Sequence, residues 1–394
     1  MVPAVLVFVS FVSLERRSKM RKELLYGTTA LLVGAVALPG YASAEEPLRL
    51  QVRGFKNEFF AIGGVDVDTD PTLDGTTSNF SDGEVQFRGS TTLDNGLTVG
   101  VQIELEAFGA TSDDIDEAYT YVQGDFGKLV IGSENLAEYT TFWGVTAPGV
   151  GIPINSGWIT AFAVAPTGIN LGFRRTGLTT NATLTNDTFQ ISYLSPRFSG
   201  FQFVAGYAPT NALGSGDPKS GVTDDSSDST EVTDIFGVGL NFKQSFNGVD
   251  VAVAGGYEHG SEPNGNVSGD DPQIVKVGAS VGFAGFTIAG SYVNQLDGLQ
   301  NAGGTTSTEG QAWDAGASYS TGPWGVSVTY FHGEEEDLTA NTNEDEVDSV
   351  VGAVSYALGP GITTSFSLFY AKYEDETGVE SDATYGILGL SVSF

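Results

Sequence analysis

The chain of 394 residues is 40% apolar, with 17 Lys and Arg against 49 Asp and Glu, 53 Gly, two His and no Cys. Without cysteine there is no disulfide framework, thiolate metal centre or cysteine nucleophile, and a formal charge of −32 opposes nucleic acid, whose phosphates call for clustered Lys and Arg. Charged residues make up only 17% and aromatics 11%, so the chain has apolar surface to bury and is not simply disordered.

From Met20 the sequence runs MRKELLYGTTALLVGAVALPGYASA. Arg21 and Lys22, an apolar run from Leu24 to Leu38 and then Ala42-Ser43-Ala44 have the order of a secretory signal with its small-residue cleavage site. This predicts a true start at Met20, cleavage after Ala44 and a mature chain from Glu45 forming one domain over 45–394. Residues 1–19 precede a complete signal. Their apolar stretch from Val2 to Val12 is too short for a membrane helix and reads as an upstream start codon or an extended signal. Removing 1–44 leaves 12 basic and 47 acidic side chains, a net of −35.

Beyond Glu45 no stretch has the roughly 20 unbroken apolar residues of a spanning helix. Short segments instead alternate with the period of a strand. In 97–106, Val99, Val101, Ile103 and Leu105 share one face, with Gly100, Gln102, Glu104 and Glu106 on the other. In 236–246 the apolar face holds Phe236, Val238, Leu240, Phe242 and Phe246. The same split recurs at 249–257, 324–330, 362–370 and 388–394.

Alternation alone also fits a soluble sandwich; the connections favour a transmembrane barrel. Short turns at 94–96, 124–127, 195–200, 247–248, 284–285, 322–323 and 359–361 alternate with longer polar loops at 63–80, 109–114, 134–170, 211–232, 259–272, 297–310, 333–346 and 374–382. Short turns on one rim and long loops on the other characterise outer-membrane barrels, and the count predicts sixteen antiparallel strands. Of the 47 mature acids, 27 fall in or beside loops one, four, five, seven and eight, which places them in water, away from lipid.

Several stretches carry a family resemblance. Residues 83–106 (GEVQFRGSTTLDNGLTVGVQIELE), 117–132 (EAYTYVQGDFGKLVIG) and 190–210 (QISYLSPRFSGFQFVAGYAPT) resemble the hairpins of Gram-negative general porins of the alphaproteobacterial type. So do 48–60, as a first strand, and the terminal Phe394, as an assembly signal. The acidic loops match nothing. The resemblance implies a homotrimer of sixteen-stranded barrels in the outer membrane, in contact with lipid and lipopolysaccharide, inserted by the barrel-assembly machinery and passing small hydrophilic solutes. It also implies that the third loop, 134–170, folds into the lumen; its Gly, Pro and apolar content is odd for a loop in bulk water. An outer cap or subunit contact is the alternative for that loop.

Porins of this kind set acids on the third loop across from arginines on the wall, and here the match is imperfect. Glu84 and Asp116 stand where the second and fourth strands usually carry pore arginines, and Ser133 where the fifth ends in Arg. The loop's own acids are Glu134 and Glu138. Alternation adds Glu104 and Glu106 to the lumen, and Arg53, Lys56, Arg88, Arg174 and Arg175 are the candidates for the basic side. Lys128, Lys243 and Lys276 look like turn, loop or wall charges. Acid in place of base at two wall positions points to a cation-preferring pore.

Enzymatic readings find little support. His259 and His332 lie far from any G-x-S-x-G, and the Gly149 and Gly237 pairs lack the third glycine of a dinucleotide fingerprint. Asp66, Asp68 and Asp70 begin like a calcium loop, but Pro71 replaces its turn glycine. No cofactor or metal is expected. The competing functions are a plugged surface barrel whose acidic loops serve adhesion or cation binding, and a sugar-specific channel using Phe142, Trp143 and Trp158.

Overall fold

A computed structural model describes residues 48–68, 76–107, 115–155, 161–163, 179–211, 232–261, 271–297, 309–336, 344–375 and 377–394. The expected signal region 1–44, including Met20 and Ala44, lies outside these residues, as do Arg174, Arg175 and Trp158.

Sixteen strands follow one another in the chain. They are β1 (Arg49–Val67), β2 (Thr77–Thr92), β3 (Thr98–Glu106), β4 (Ala118–Gly124), β5 (Gly127–Ser133), β6 (Phe189–Leu194), β7 (Phe201–Thr210) and β8 (Thr233–Phe246). The second half comprises β9 (Val249–Ser261), β10 (Gln273–Phe283), β11 (Phe286–Asp297), β12 (Gly310–Thr321), β13 (Trp324–Glu336), β14 (Glu344–Gly359), β15 (Ile362–Glu374) and β16 (Glu380–Ser393). Each pairs antiparallel with its sequence neighbours, and β16 returns to β1 in register from Phe55 opposite Ser393 to Val67 opposite Ser381. Closure leaves no strand edge and satisfies the backbone in a medium without water.

Residues paired in register share a face of the sheet. On β8, Leu240 faces outward at 55% exposure, while the next residue, Asn241, points inward and is 1% exposed. The apolar faces expected from alternation on β3, β8, β9, β13, β15 and β16 all lie outside, with exposed Val99, Phe203, Val253, Val326, Leu368 and Leu388 among the band. All seven short turns join strands as expected.

The long-loop side differs from expectation in extent. The sequence places loops at 259–272, 333–346 and 374–382, yet β9 runs to Ser261, β13 to Glu336, β14 from Glu344 and β15 to Glu374. Paired ribbon therefore continues beyond the apolar band: side chains such as Glu334, Glu346 and Glu374 need water, whereas their backbone still gains from pairing. The third connection is also longer than 134–170, since pairing resumes only at Phe189.

The barrel closes on its last residue. Gly54 N–H donates to the Phe394 carbonyl at 3.0 Å and Phe394 N–H to the Gly54 carbonyl at 3.0 Å. The Phe394 ring lies over Gly54 so closely that a Cβ there would sit 2.6 Å from its Cζ; glycine is what allows the approach. Deleting Phe394 removes this pair of hydrogen bonds and the ring contact, and is expected to lower the outer-membrane yield several-fold. Replacement of Ser393, on the opposite face, is expected to cost much less; immunoblots of membrane fractions compare the two.

Candidate functional site in the barrel lumen

The connection from β5 to β6 enters the barrel. Leu136, Ile152, Ile154, Phe162 and Leu184 of this loop form one buried cluster with Phe59, Phe331, Val351, Phe369 and Tyr385 of the inner wall. The composition that is odd for a solvated loop is that of a core, and burying each large side chain contributes about 1.5–3 kcal/mol.

Hydroxyl and carboxylate groups on inward positions hold the loop backbone. Ala137 N–H donates to Ser192 Oγ at 3.1 Å, Val150 N–H to Ser327 Oγ at 3.1 Å and Ile152 N–H to Ser367 Oγ at 3.3 Å. Asp314 on β12, 2% exposed, gathers donors from both limbs of the loop and from β11. It accepts from Ala147 N–H at 2.9 Å, Thr180 Oγ1 at 2.9 Å, Ser291 N–H at 3.0 Å, Ser291 Oγ at 2.6 Å and the Asn155 amide. A buried carboxylate is tolerated when its lone pairs are filled in this way.

A second anchor is ionic. Glu138, in the one-turn helix Ala137–Thr140, lies 3.0 Å from Lys276 Nζ of β10, and Glu258 of β9 lies 3.8 Å from the same nitrogen. Lys276 also donates to Asn181 Oδ1 and the Ala182 carbonyl, both at 3.0 Å, and its Nζ stands 5.1 Å from the centre of the Tyr139 ring. Leu184 N–H donates to Glu258 Oε2 at 2.6 Å. The three charged side chains are almost completely buried, so removing the cation leaves two carboxylates facing each other. Breaking such a set costs about 3–5 kcal/mol. Lys276→Met is expected to free the loop, lowering the temperature at which the barrel unfolds on heat-modifiability gels and making single-channel currents larger and noisier; unchanged traces and heat stability contradict the anchor.

The inner face of β2–β5 carries a cluster of acids, of which Glu84, Glu106 and Asp116 are half-buried and Glu104 is buried. In register, Glu84 faces Glu106, Gln86 faces Glu104 and Arg88 faces Gln102. Carboxylate oxygens of Glu84, Glu106 and Asp116 lie within 4.8 Å of one another, and this is the one trio among the described residues close enough to share a cation. Gln86 Nε2 donates to Glu84 Oε2 at 2.8 Å and Glu104 Oε2 at 2.9 Å, whereas Arg88 Nη2 stands 4.0 Å from Glu104 Oε1. Beside them, burial raises the Glu117 carboxyl far above the usual range, reinforced by Glu134 and Glu104, and burial likewise raises Glu134. Lys128 is the facing cation, 4.6 Å from the centre of the Tyr121 ring.

The expected site residues separate accordingly. Glu84, Glu104, Glu106, Asp116 and Arg88 are together on one inner wall, with Glu134 at the loop's entry. Arg53 faces inward, exposed, and donates to Gln51 at 3.1 Å. Lys56 does not join it: three positions on, strand parity turns its side chain to the outer face, where it pairs with Glu58 at 3.0 Å. Glu138 is no pore-lining acid but is 2% exposed against Lys276. Phe142 is buried as a loop anchor, while Trp143 is 43% exposed. No local motif marks Asp314, Glu258 and Lys276 as partners of the loop, although their inward parity on β9, β10 and β12, among Gly and Ser, marks them as facing something polar.

A family model described as Gram-negative porin matches residues 27–378. No curated protein sequence matches significantly. Among solved structures, Salmonella typhi OmpF in complex with daunomycin aligns with a TM-score of 0.61 at 14% identity, over 90% of this chain and 100% of that one. An anion-selective porin from Comamonas acidovorans aligns with a TM-score of 0.58 at 16% identity, over 88% and 100% of the chains. The trimer form of OmpT, an outer membrane protein of Vibrio cholerae, gives 0.52 at 13% identity, over 89% and 100%.

Proposed function

The chain belongs to the Gram-negative porin family, and from that membership we propose that its barrel is an outer-membrane channel for passive diffusion of small hydrophilic solutes and ions, with a preference for cations. The observation that carries the preference is the convergence of Glu84, Glu106 and Asp116 on the inner wall of the barrel. Low-dielectric walls focus the field of such a cluster, whereas acids on a wide rim are screened within about 8 Å at physiological salt. A barrel of the same fold from Comamonas acidovorans is described as anion-selective, so the sign of selectivity resides in side chains and not in the architecture.

Reversal potentials in a potassium chloride gradient across planar bilayers test this. The wild type is expected to favour potassium, and Glu84→Arg combined with Asp116→Arg to move the potential toward chloride; a wild type favouring chloride, or a double variant without a shift, contradicts the reading. Because burial raises the Glu117 carboxyl to about 11 and raises Glu134 as well, their added negative charge develops on the alkaline side, and cation preference is expected to rise further as the pH is brought from about 8 toward about 11. Absence of any open step at high protein loading favours the plugged barrel.

The same reading makes the protein a homotrimer. Lys56 and Glu58 face outward on β1 between exposed Val52 below and Phe60 and Ile62 above, and Lys56 also contacts Ser81. A charge held against lipid at mid-depth costs about 2–4 kcal/mol; a neighbouring copy on this face removes that cost. Light scattering after mild extraction is expected to give the mass of three chains, and Glu58→Lys, which sets two like charges side by side, to shift it toward monomer. A monomeric wild type overturns the assembly. Lipopolysaccharide, the barrel-assembly machinery and removal of residues 1–44 belong to this proposal as well.

A further inference from the structure

Toward the short-turn rim, β8–β11 line an open depression of about 450 Å³ that includes Lys243, Ser245, Asp250, Ser280, Gly282 and Thr287. The volume suits a small solute. The loop packs next to it: Val145 lies so close to Gly278 that a Cβ there would be 2.6 Å from Val145 Cγ2, and Lys243 Nζ would lie 2.9 Å from a Cβ at Gly144.

Register places the two charges. Lys243 is opposite Ala252 and Ser245 opposite Asp250, so Lys243 and Asp250 are diagonal neighbours on one face, with Cβ atoms about 7–8 Å apart or a little less. Both are exposed to the lumen, and among the described residues neither side chain has an ion-pair or hydrogen-bond partner. By contrast, Lys276 and Lys372 each hold two carboxylates. Asp250 Cβ lies over Gly282, 3.6 Å from where a Cβ would be, which leaves the space beside the carboxylate open. An ammonium and a carboxylate kept apart within one depression, with hydroxyls of Ser245, Ser280 and Thr287 around them, match a solute that carries both charges itself.

The geometry points to a subsite in the channel for small zwitterions of the amino-acid type, the solute carboxylate meeting Lys243 and its ammonium meeting Asp250. It rests on the channel reading and adds a solute class to it. A simple anion meets Asp250 and the acidic wall, a simple cation meets Lys243, and a polyol offers the two charges hydroxyls alone, without the attraction between opposite full charges that a zwitterion adds.

Saturation-transfer NMR on the detergent-solubilised full-length barrel, with L-glutamine and ribitol as probes, tests the subsite without requiring conduction. Glutamine is expected to give a saturable signal whose half-saturation concentration rises about tenfold in Lys243→Gln and in Asp250→Asn, as loss of one charge-assisted contact implies; ribitol is expected to show no saturation. Both substitutions are at exposed positions, and heat modifiability shows that each variant folds. Equal half-saturation in folded variants and wild type, or saturation by ribitol alone, overturns the proposal. If glutamine binds as expected while bilayers stay silent, the channel reading fails and the subsite stands.

Discussion

In hydrocarbon, a backbone amide that finds no carbonyl costs several kcal/mol, and every level of this structure follows from that demand. It is met only when β16 reaches β1, so the final pair of hydrogen bonds, between Phe394 and Gly54, closes the sheet. Closure fixes the parity of every strand, because a slip by one residue would turn each apolar face into the lumen. Parity in turn decides which side chains meet lipid, which meet the third loop and which meet water.

That chain of constraint explains why the barrel was legible from sequence. Alternating Val, Leu and Phe on β8 or β16 report a face directly, and Asn247-Gly248, with φ of 51° and 84°, has the positive φ that two-residue hairpin turns require. The ends of the strands on the long-loop side were less legible. Glu334 and Glu346 read as loop residues because charge looks in sequence like the end of pairing, whereas it marks only the end of lipid.

The lumen was half legible. Glu84, Glu104 and Glu106 follow from parity, and Arg53 and Lys56 could have been separated by it, since three positions along a strand is an odd step. The anchoring of the loop was not legible, because it joins residues remote in sequence: Glu138 meets Lys276, and Ala147 meets Asp314. No local pattern encodes such a meeting. An acidic side chain on the loop looks the same in sequence whether it lines water or is buried against an ammonium, and only packing distinguishes the two.

The inward loop gives the barrel two kinds of interior. Behind it, the inward faces of much of β9–β16 are a protein core, where a lost methylene or an orphaned donor is felt as instability. On β2–β5 the inward face carries charged side chains instead, the half-buried Glu84, Glu106 and Asp116 among them, and exchange there alters the field of the lumen more than the packing of an apolar core. Natural selection can therefore revise permeability along one wall while purifying the other, and inherited variation in the lumen should be concentrated on the inward face of β2–β5.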